Sequence, residues 1–551
     1  MSKKQKLTRR ELLEHSMALG LMTSPVAMIF DSIISGMVQK ALAESSGVLP
    51  RRYVSVQLFG APPRWMYDLF LNPYGDPATF DPKNANLGTR YTESGGRLTN
   101  TVYETAKIKG INAPFLWKYD VAKRGGGTRP MRDLLDNMLA LQGINCGNPD
   151  HSGAAALHFR PLGASVTQPA MVADRSAALI PAVNVDADMY SFLSLANKSP
   201  VQLMAKENGG NLVKTLLDPF TVDPENKARK QAARVQDLVD GAVSALDAQL
   251  AERHPAGKAL NVSRKSAGEM FKQVTGDLDA VWAEKKAPYL DLVNRTLHQS
   301  EPIPFINDKP IGVVGERNNH YQLATGGGSG EVVAHDDIRD LMRPTTRILN
   351  IVEHFAVAEY ILENDLSHSV VISPRNFAGI NFTRLNPIFD EHSTGKMPSL
   401  YLNSMYYRAL SACLLGFIDR LKDKGIFNET VVEVFSEFNR NPKNVPGGSD
   451  HGWEGKSVVY YSGAIQGPLV VGNLLKDSGD VLHPGAWGKG ASTNTATGKP
   501  LGQLNLGHQV STLATLLRVP TPVTAASSLI SPNPDATVTS DDLYVEKTKV
   551  V

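Results

Sequence analysis

The chain has 551 residues, 42% of them apolar and 20% charged, and its 57 basic and 55 acidic residues leave a formal charge of +2. That balance excludes a basic protein built to coat nucleic acid, a polytopic membrane protein and a largely disordered chain, while the length suffices for a large core. Two cysteines, Cys146 and Cys413, are too few for a disulfide framework or a thiolate zinc centre.

Residues 1–43 begin basic, carry Thr8-Arg9-Arg10 ahead of Leu12 and Leu13, run apolar from Met17 to Val38, and end on small residues at Ala41 and Ala43. This order of basic, apolar and small-residue regions predicts a cleaved export signal. The Arg9-Arg10 pair resembles the twin-arginine type, which implies the export machinery that carries folded proteins, and a periplasmic or otherwise exported location. The alternative is anchoring by an uncleaved helix. Pro25 and Asp31 count against it, because an acidic residue near the bilayer centre costs roughly 2.5–3.5 kcal/mol. With six basic and three acidic residues in the signal, residues 44–551 carry a net charge of −1. No nucleic-acid partner and no stable membrane span are expected of the mature chain.

Residues 44–551 read as a single domain. Arg52 to Phe59 alternates and stops at Gly60-Ala61-Pro62-Pro63, as a strand entering a loop does. Further strands are predicted at Ser369–Ser373, Thr430–Phe435 and Pro468–Val471, and helices at Ile338–Leu362 and Leu400–Leu421. Strands alternating with helices of that length predict an α/β fold, a mostly parallel sheet with helices on both faces. From about 223 to 300 there is no strand signal. There Val235, Val239, Ala242, Leu246 and Leu250, then Phe271, Val274, Leu278 and Val281, recur at helical spacing around a turn with Pro255 and Gly257, predicting an inserted helical hairpin. The Ser, Thr and Pro-rich tail from Pro520 is expected to wrap the surface or to be poorly ordered.

The strand at Thr430–Phe435 empties into Ser436-Glu437-Phe438-Asn439-Arg440, followed by a Gly-Pro loop that reaches Asp450-His451-Gly452. Open α/β sheets place ligands at such carboxyl ends, and an Asp oxygen beside an imidazole supplies half of a zinc-type site or part of a manganese-type one. Alone, this pair reads more simply as a surface loop with an Asp-His hydrogen bond. Asp390, Glu391 and His392, and His508 at the start of an amphipathic helix, add further hard or borderline ligands. Together these residues suffice for one or two divalent ions.

The pieces Ser436 to Arg440, Gly447 to Gly452 and Gly463 to Gly467 resemble, in order and spacing, the exported bacterial family known as domain of unknown function 1501. Phe389-Asp390-Glu391-His392-Ser393 and Asn148-Pro149-Asp150-His151-Ser152 resemble two of its upstream segments. The resemblance implies an alkaline-phosphatase-like or sulfatase-like sandwich. It implies Asp450 and His451 in one metal subsite, with Asp390, His392 and His508 around another, holding zinc or manganese. It also implies Arg440, Glu437 and His151 beside the site, with Arg440 suited to gripping an anion. The activity implied is metal-dependent hydrolysis of a small-molecule or polymeric phosphate or related ester.

Where active relatives carry an Asp and then a nucleophile after the first strand, this chain has Phe59-Gly60-Ala61-Pro62-Pro63, its nearest carboxylate being Asp68. The Cys-x-Pro-x-Arg pattern of sulfatases is absent. The alternative is therefore a non-catalytic exported binding or assembly protein that keeps the fold. Gly326 to Gly330 lacks the Lys of a phosphate-cradling loop, and no Gly-x-Ser-x-Gly or His-Glu-x-x-His motif occurs.

Overall fold

The computed structural model describes residues 49–70, 90–94, 97–102, 105–176, 178, 180–187, 191–205, 210–217, 277–298, 304–306, 309–310, 320–322, 332–334, 349–374, 396–442, 449–477, 486–531 and 537–545. Residues 1–43, read above as an export signal, Asp390, His392 and most of the segment 223–300 lie outside them.

Among the described residues, eight strands build the central sheet: β1 Arg52–Gln57, β2 Met138–Ile144, β3 Val183–Val185, β4 Val201–Leu203, β5 Ser369–Ile372, β6 Thr430–Phe435, β7 Lys456–Tyr461 and β8 Leu469–Val471. Their spatial order is β4-β3-β5-β1-β6-β7-β2-β8, and every neighbouring pair is parallel except the two made by β7. The sheet is thus parallel with one reversed strand. Its central strands are buried on both faces, and their β-branched content follows from that.

Among the described residues the helices are α1 His151–Phe159, α2 Gln168–Ala173, α3 Leu212–Leu217, α4 Leu278–His298, α5 Leu349–Glu363, α6 Lys396–Asp423 and α7 Leu506–Leu516. Alternation along the strands sorts them between two cores. Val54, Val56, Val432 and Val434 pack with Leu292 of α4, Phe355 of α5 and Phe417 of α6. Tyr53, Val431 and Phe435 face the opposite core, with Ala154 of α1, Met171 of α2 and Leu513 of α7. Helices therefore cover both faces of the sheet.

Helix α4 occupies the end of the segment read as a helical hairpin and carries Leu278 and Val281 of its second stripe. The first stripe, Phe271 and Val274 lie outside the described residues. The tail wraps the α1 side. Val523, Leu529, Ile530, Val538, Leu543 and Val545 are buried there, and Val538 exchanges backbone hydrogen bonds with the Ala464–Gln466 loop.

Candidate functional site

β1, β2 and β6 end on the same edge of the sheet, and β7 begins there. The loop leaving β2 turns into α1, whose cap Asp150 accepts the Gly153 amide at 2.8 Å, so that His151 becomes the first helical residue. Glycine at 153 leaves room for the Asn148 side-chain amide, which would have to shift to clear a Cβ 2.3 Å away. Beyond β6, Asn439–Pro442 pairs with Ser449–Gly452 in an antiparallel hairpin that sets Arg440 opposite His451 and Asn441 opposite Asp450.

Glu437 is the centre of this edge. Its side chain is fully buried; Oε1 accepts the Gly60 amide at 2.7 Å and lies 2.5 Å from Nδ1 of His151. His151 sits in an aromatic cradle, its ring centroid 4.7 Å from that of Phe438 and 4.5 Å from that of His451, which it meets nearly edge-on at 78°. Nδ1 of His451 donates to the carbonyl of Pro149, which ties the hairpin to the loop before α1.

Arg440 is buried, and its Nε and Nη2 donate to the carbonyls of Ala61 and Gly60, each at 2.8 Å. The loop after β1 needs that hold. Gly60 has φ +107° and Ala61 has φ +50°, a left-handed conformation that costs a non-glycine residue roughly 1–2 kcal/mol. Such strain gathers at functional sites. Asp68, the first carboxylate after β1 in sequence, forms a fully buried ion pair with Arg64, whose Nε is 2.6 Å from Oδ1.

His508 lies at the start of α7. Asn505 accepts the amides of Gly507 and His508, and Nδ1 of His508 accepts the Asn505 amide at 3.3 Å, closing a capping box. Burial lowers the pKa of this imidazole and keeps it neutral. Asp450 is placed by its strand, and Asp390 and His392 lie outside the described residues. Among the described residues no group of three or more His, Cys, Asp or Glu side chains gathers in a metal-binding cluster. No helix of the described residues is long and apolar enough to cross a membrane.

A second polar cluster lies inward from the edge. Glu433 of β6 accepts from Tyr53 at 2.5 Å, Ser55 at 3.2 Å and Gln509 at 2.9 Å. Nε2 of His158 lies 3.4 Å from its carboxylate, and Nδ1 of His158 accepts from Lys456 at 2.9 Å. Glu433, His158 and Lys456 are all fully buried. Burial, reinforced by Lys456, lowers His158 to about 4. Burial also lowers Lys456 to about 8. Although burial alone would raise Glu433, His158, Tyr53 and Lys456 hold it below the ordinary carboxylate range. None of this cluster follows from a motif; a Glu inside the apolar run Thr430–Phe435 was its one visible sign.

Residues 373–484 match the family model described as protein of unknown function (DUF1501). The DUF1501 segment contains β6, the hairpin, β7 and β8, and so supplies Glu437, Arg440, Asp450 and His451 to the edge. His151 comes from outside it. No curated protein and no solved structure matches the chain.

Proposed function

We propose that this chain is an exported hydrolase of phosphate or related esters, dependent on a divalent metal such as zinc or manganese and built on an alkaline-phosphatase-like sandwich. The observation that carries this reading is the tautomer of His451. A carbonyl can only accept, so Nδ1 of His451 carries the proton and in the neutral ring the lone pair lies on Nε2, the tautomer a metal ligand needs, on the strand that also carries Asp450 in the segment matched by the DUF1501 model. The fit differs at His508. Its Nδ1 accepts a backbone amide, so in the neutral ring Nε2 carries the proton, which is the opposite of what a ligand needs. Asp450, His451, Asp390 and His392 are therefore assigned to hold metal, and His508 to cap α7. A bound divalent ion would supply charge stabilisation for the ester oxygens. The protein contributes the fixed imidazoles of His151 and His451 and a loop after β1 clamped by Glu437 and Arg440. Export by the twin-arginine machinery rests on Arg9, Arg10 and the Ala41-to-Ala43 site.

One observation favours a second reading, a non-catalytic binding or assembly protein. The loop Phe59-Gly60-Ala61-Pro62-Pro63 offers no hydroxyl or thiol, and the backbone groups of Gly60 are taken by Glu437 and Arg440. Elemental analysis of the mature protein, with a screen of phosphomono- and diesters, decides between them. The hydrolase reading expects stoichiometric metal that is lost in Asp450→Ala/His451→Ala, together with ester turnover. Metal without turnover selects the binding protein, and metal unaffected by the double substitution rejects the assigned ligands.

A further inference from the structure

We propose that α1 is an acid-released latch: proton uptake by His158 frees the helix from the sheet and uncouples the start of α1 from the edge, while the sheet itself stays folded. The latch rests on the Glu433–His158–Lys456 cluster and is independent of the ester-hydrolase reading. An ammonium can only donate, so Nδ1 of His158 accepts from Lys456 at 2.9 Å and the proton of the neutral ring lies on Nε2, 3.4 Å from Glu433. The nitrogen that could take a second proton is therefore the one that Lys456 occupies. Protonation in place would turn an acceptor into a donor facing an ammonium and set two buried cations on one carboxylate. The imidazolium forms on the released helix instead, and acid favours release.

The charges that face His158 come from several elements. Lys456 of β7 and Arg64 of the turn after β1 oppose its proton, Glu433 of β6 favours it, and Arg64 is itself paired with Asp68. Lys456 is faced in turn by Cys146 and Glu437. Tyr53 of β1 and Tyr460 of β7 join the network, and α2 and α7 present the uncharged Gln168 and Gln509. On α1 the other titratable side chain is His151, at the opposite end. Burial, and after it Lys456, holds His158 near 4 in the docked helix, against about 6.5 in solvent. Between these values release takes up a proton, so the docked state loses ground as pH falls.

Release is local because apolar contacts hold α1 weakly. The helix buries Phe159, Ala154 and Ala155 fully and Leu157 in part, so much of its hold is polar: His158 on Glu433 and Lys456, and Gln168 on the His158 carbonyl. A helix of nine residues does not persist undocked, so release exposes its amides. It also draws His151 from Glu437 and slackens the Pro149 carbonyl that receives Nδ1 of His451.

The test is hydrogen-exchange mass spectrometry of the mature protein over a range of pH, with labelling times scaled to the intrinsic exchange rate. The stretch His151–Phe159 is expected to lose protection about 40-fold between about pH 6.5 and 4.5, while Arg52–Gln57 and Thr430–Phe435 keep theirs. His158→Gln offers one acceptor to Lys456 and one donor to Glu433 without titrating, and is expected to abolish the change. Lys456→Met frees Nδ1 for a proton beside Glu433, is expected to abolish it as well, and carries the test if His158→Gln does not fold. His151→Gln should leave the change in place. Protection of His151–Phe159 indifferent to pH, a parallel loss in the two strands, or a pH dependence that survives either His158→Gln or Lys456→Met would each overturn the latch. Loss of the dependence in His151→Gln would move the trigger to the edge and overturn it too.

Discussion

The same pair of side chains occurs twice between β6 and α1. Glu433 faces His158 in the middle of the sheet, and Glu437, four residues on, faces His151, two helical turns back. The inner pair is closed: Lys456, Tyr53, Ser55 and Gln509 supply it with a counter-charge and donors, and no water reaches it. The outer pair has a fully buried carboxylate and an imidazole that is 19% exposed, and Oε2 of Glu437 meets no donor among the described residues. Equal chemistry in unequal solvent therefore gives two roles. The inner pair fixes how α1, α7 and three strands dock, while the outer pair ties the start of α1 to the loop after β1.

The sharpest way to break this contrast is Glu433→Ala. It leaves the Lys456 ammonium buried without its carboxylate and is expected to cost about 3–5 kcal/mol, read as a lower denaturant midpoint at unchanged slope. Glu437→Ala, beside a partly exposed ring, is expected to cost about 1–3 kcal/mol; equal losses would erase the distinction.

A comparable effect is expected from acid. His158 titrates near 4 in the folded chain and near 6.5 when unfolded. Between those values the unfolded state binds the proton and the folded state does not, so stability declines as pH falls from about 6.5 to 4, by about 3 kcal/mol in all. His158→Gln should flatten that decline, whereas His151→Gln should leave it in place.

Asp150→Ala removes the cap of α1 and is expected to cost about 1 kcal/mol. Because it loosens only the outer end of the helix, it should raise hydrogen exchange near His151 and not near His158. The smallest change is Ala61→Gly, which relieves a left-handed φ worth roughly 1–2 kcal/mol against a glycine entropy cost of about 0.5–1 kcal/mol. A slightly higher melting temperature is expected; a lower one would show that the loop is not strained.

Much of the sheet was legible because its central strands obey local rules. Thr430–Phe435 is predicted and observed with the same ends, and Arg52–Phe59 and Ser369–Ser373 each end within two residues of their predicted ends. The run Leu400–Leu421 widened to Lys396–Asp423. β3 and β4, with three residues each, are too short for periodicity to register, and the reversal of β7 depends on tertiary pairing alone. At the edge, motif spacing led to Glu437, Arg440 and His451, and to His151 through the Asn148–Ser152 segment. It did not show that Arg440 is spent on the carbonyls of Gly60 and Ala61, because those partners lie 379 and 380 positions away and are backbone atoms. His508 was legible both as a ligand and as a cap; what distinguishes them is which ring nitrogen accepts, a fact of geometry.

The reversed strand has a consequence for how this edge can be altered. Because β7 runs against β6, the chain leaves the sheet after Phe435 and re-enters it at Lys456 on the same side, without crossing a face. The twenty intervening positions carry Glu437, Arg440, Asp450 and His451, and the described residues among them add no strand to the central sheet. Such a segment is an exchangeable cartridge: a graft from a chain matched by the same family model could replace this half of the site in one piece, and His151, arriving on its own helix, would be the fixed contact against which each graft is read.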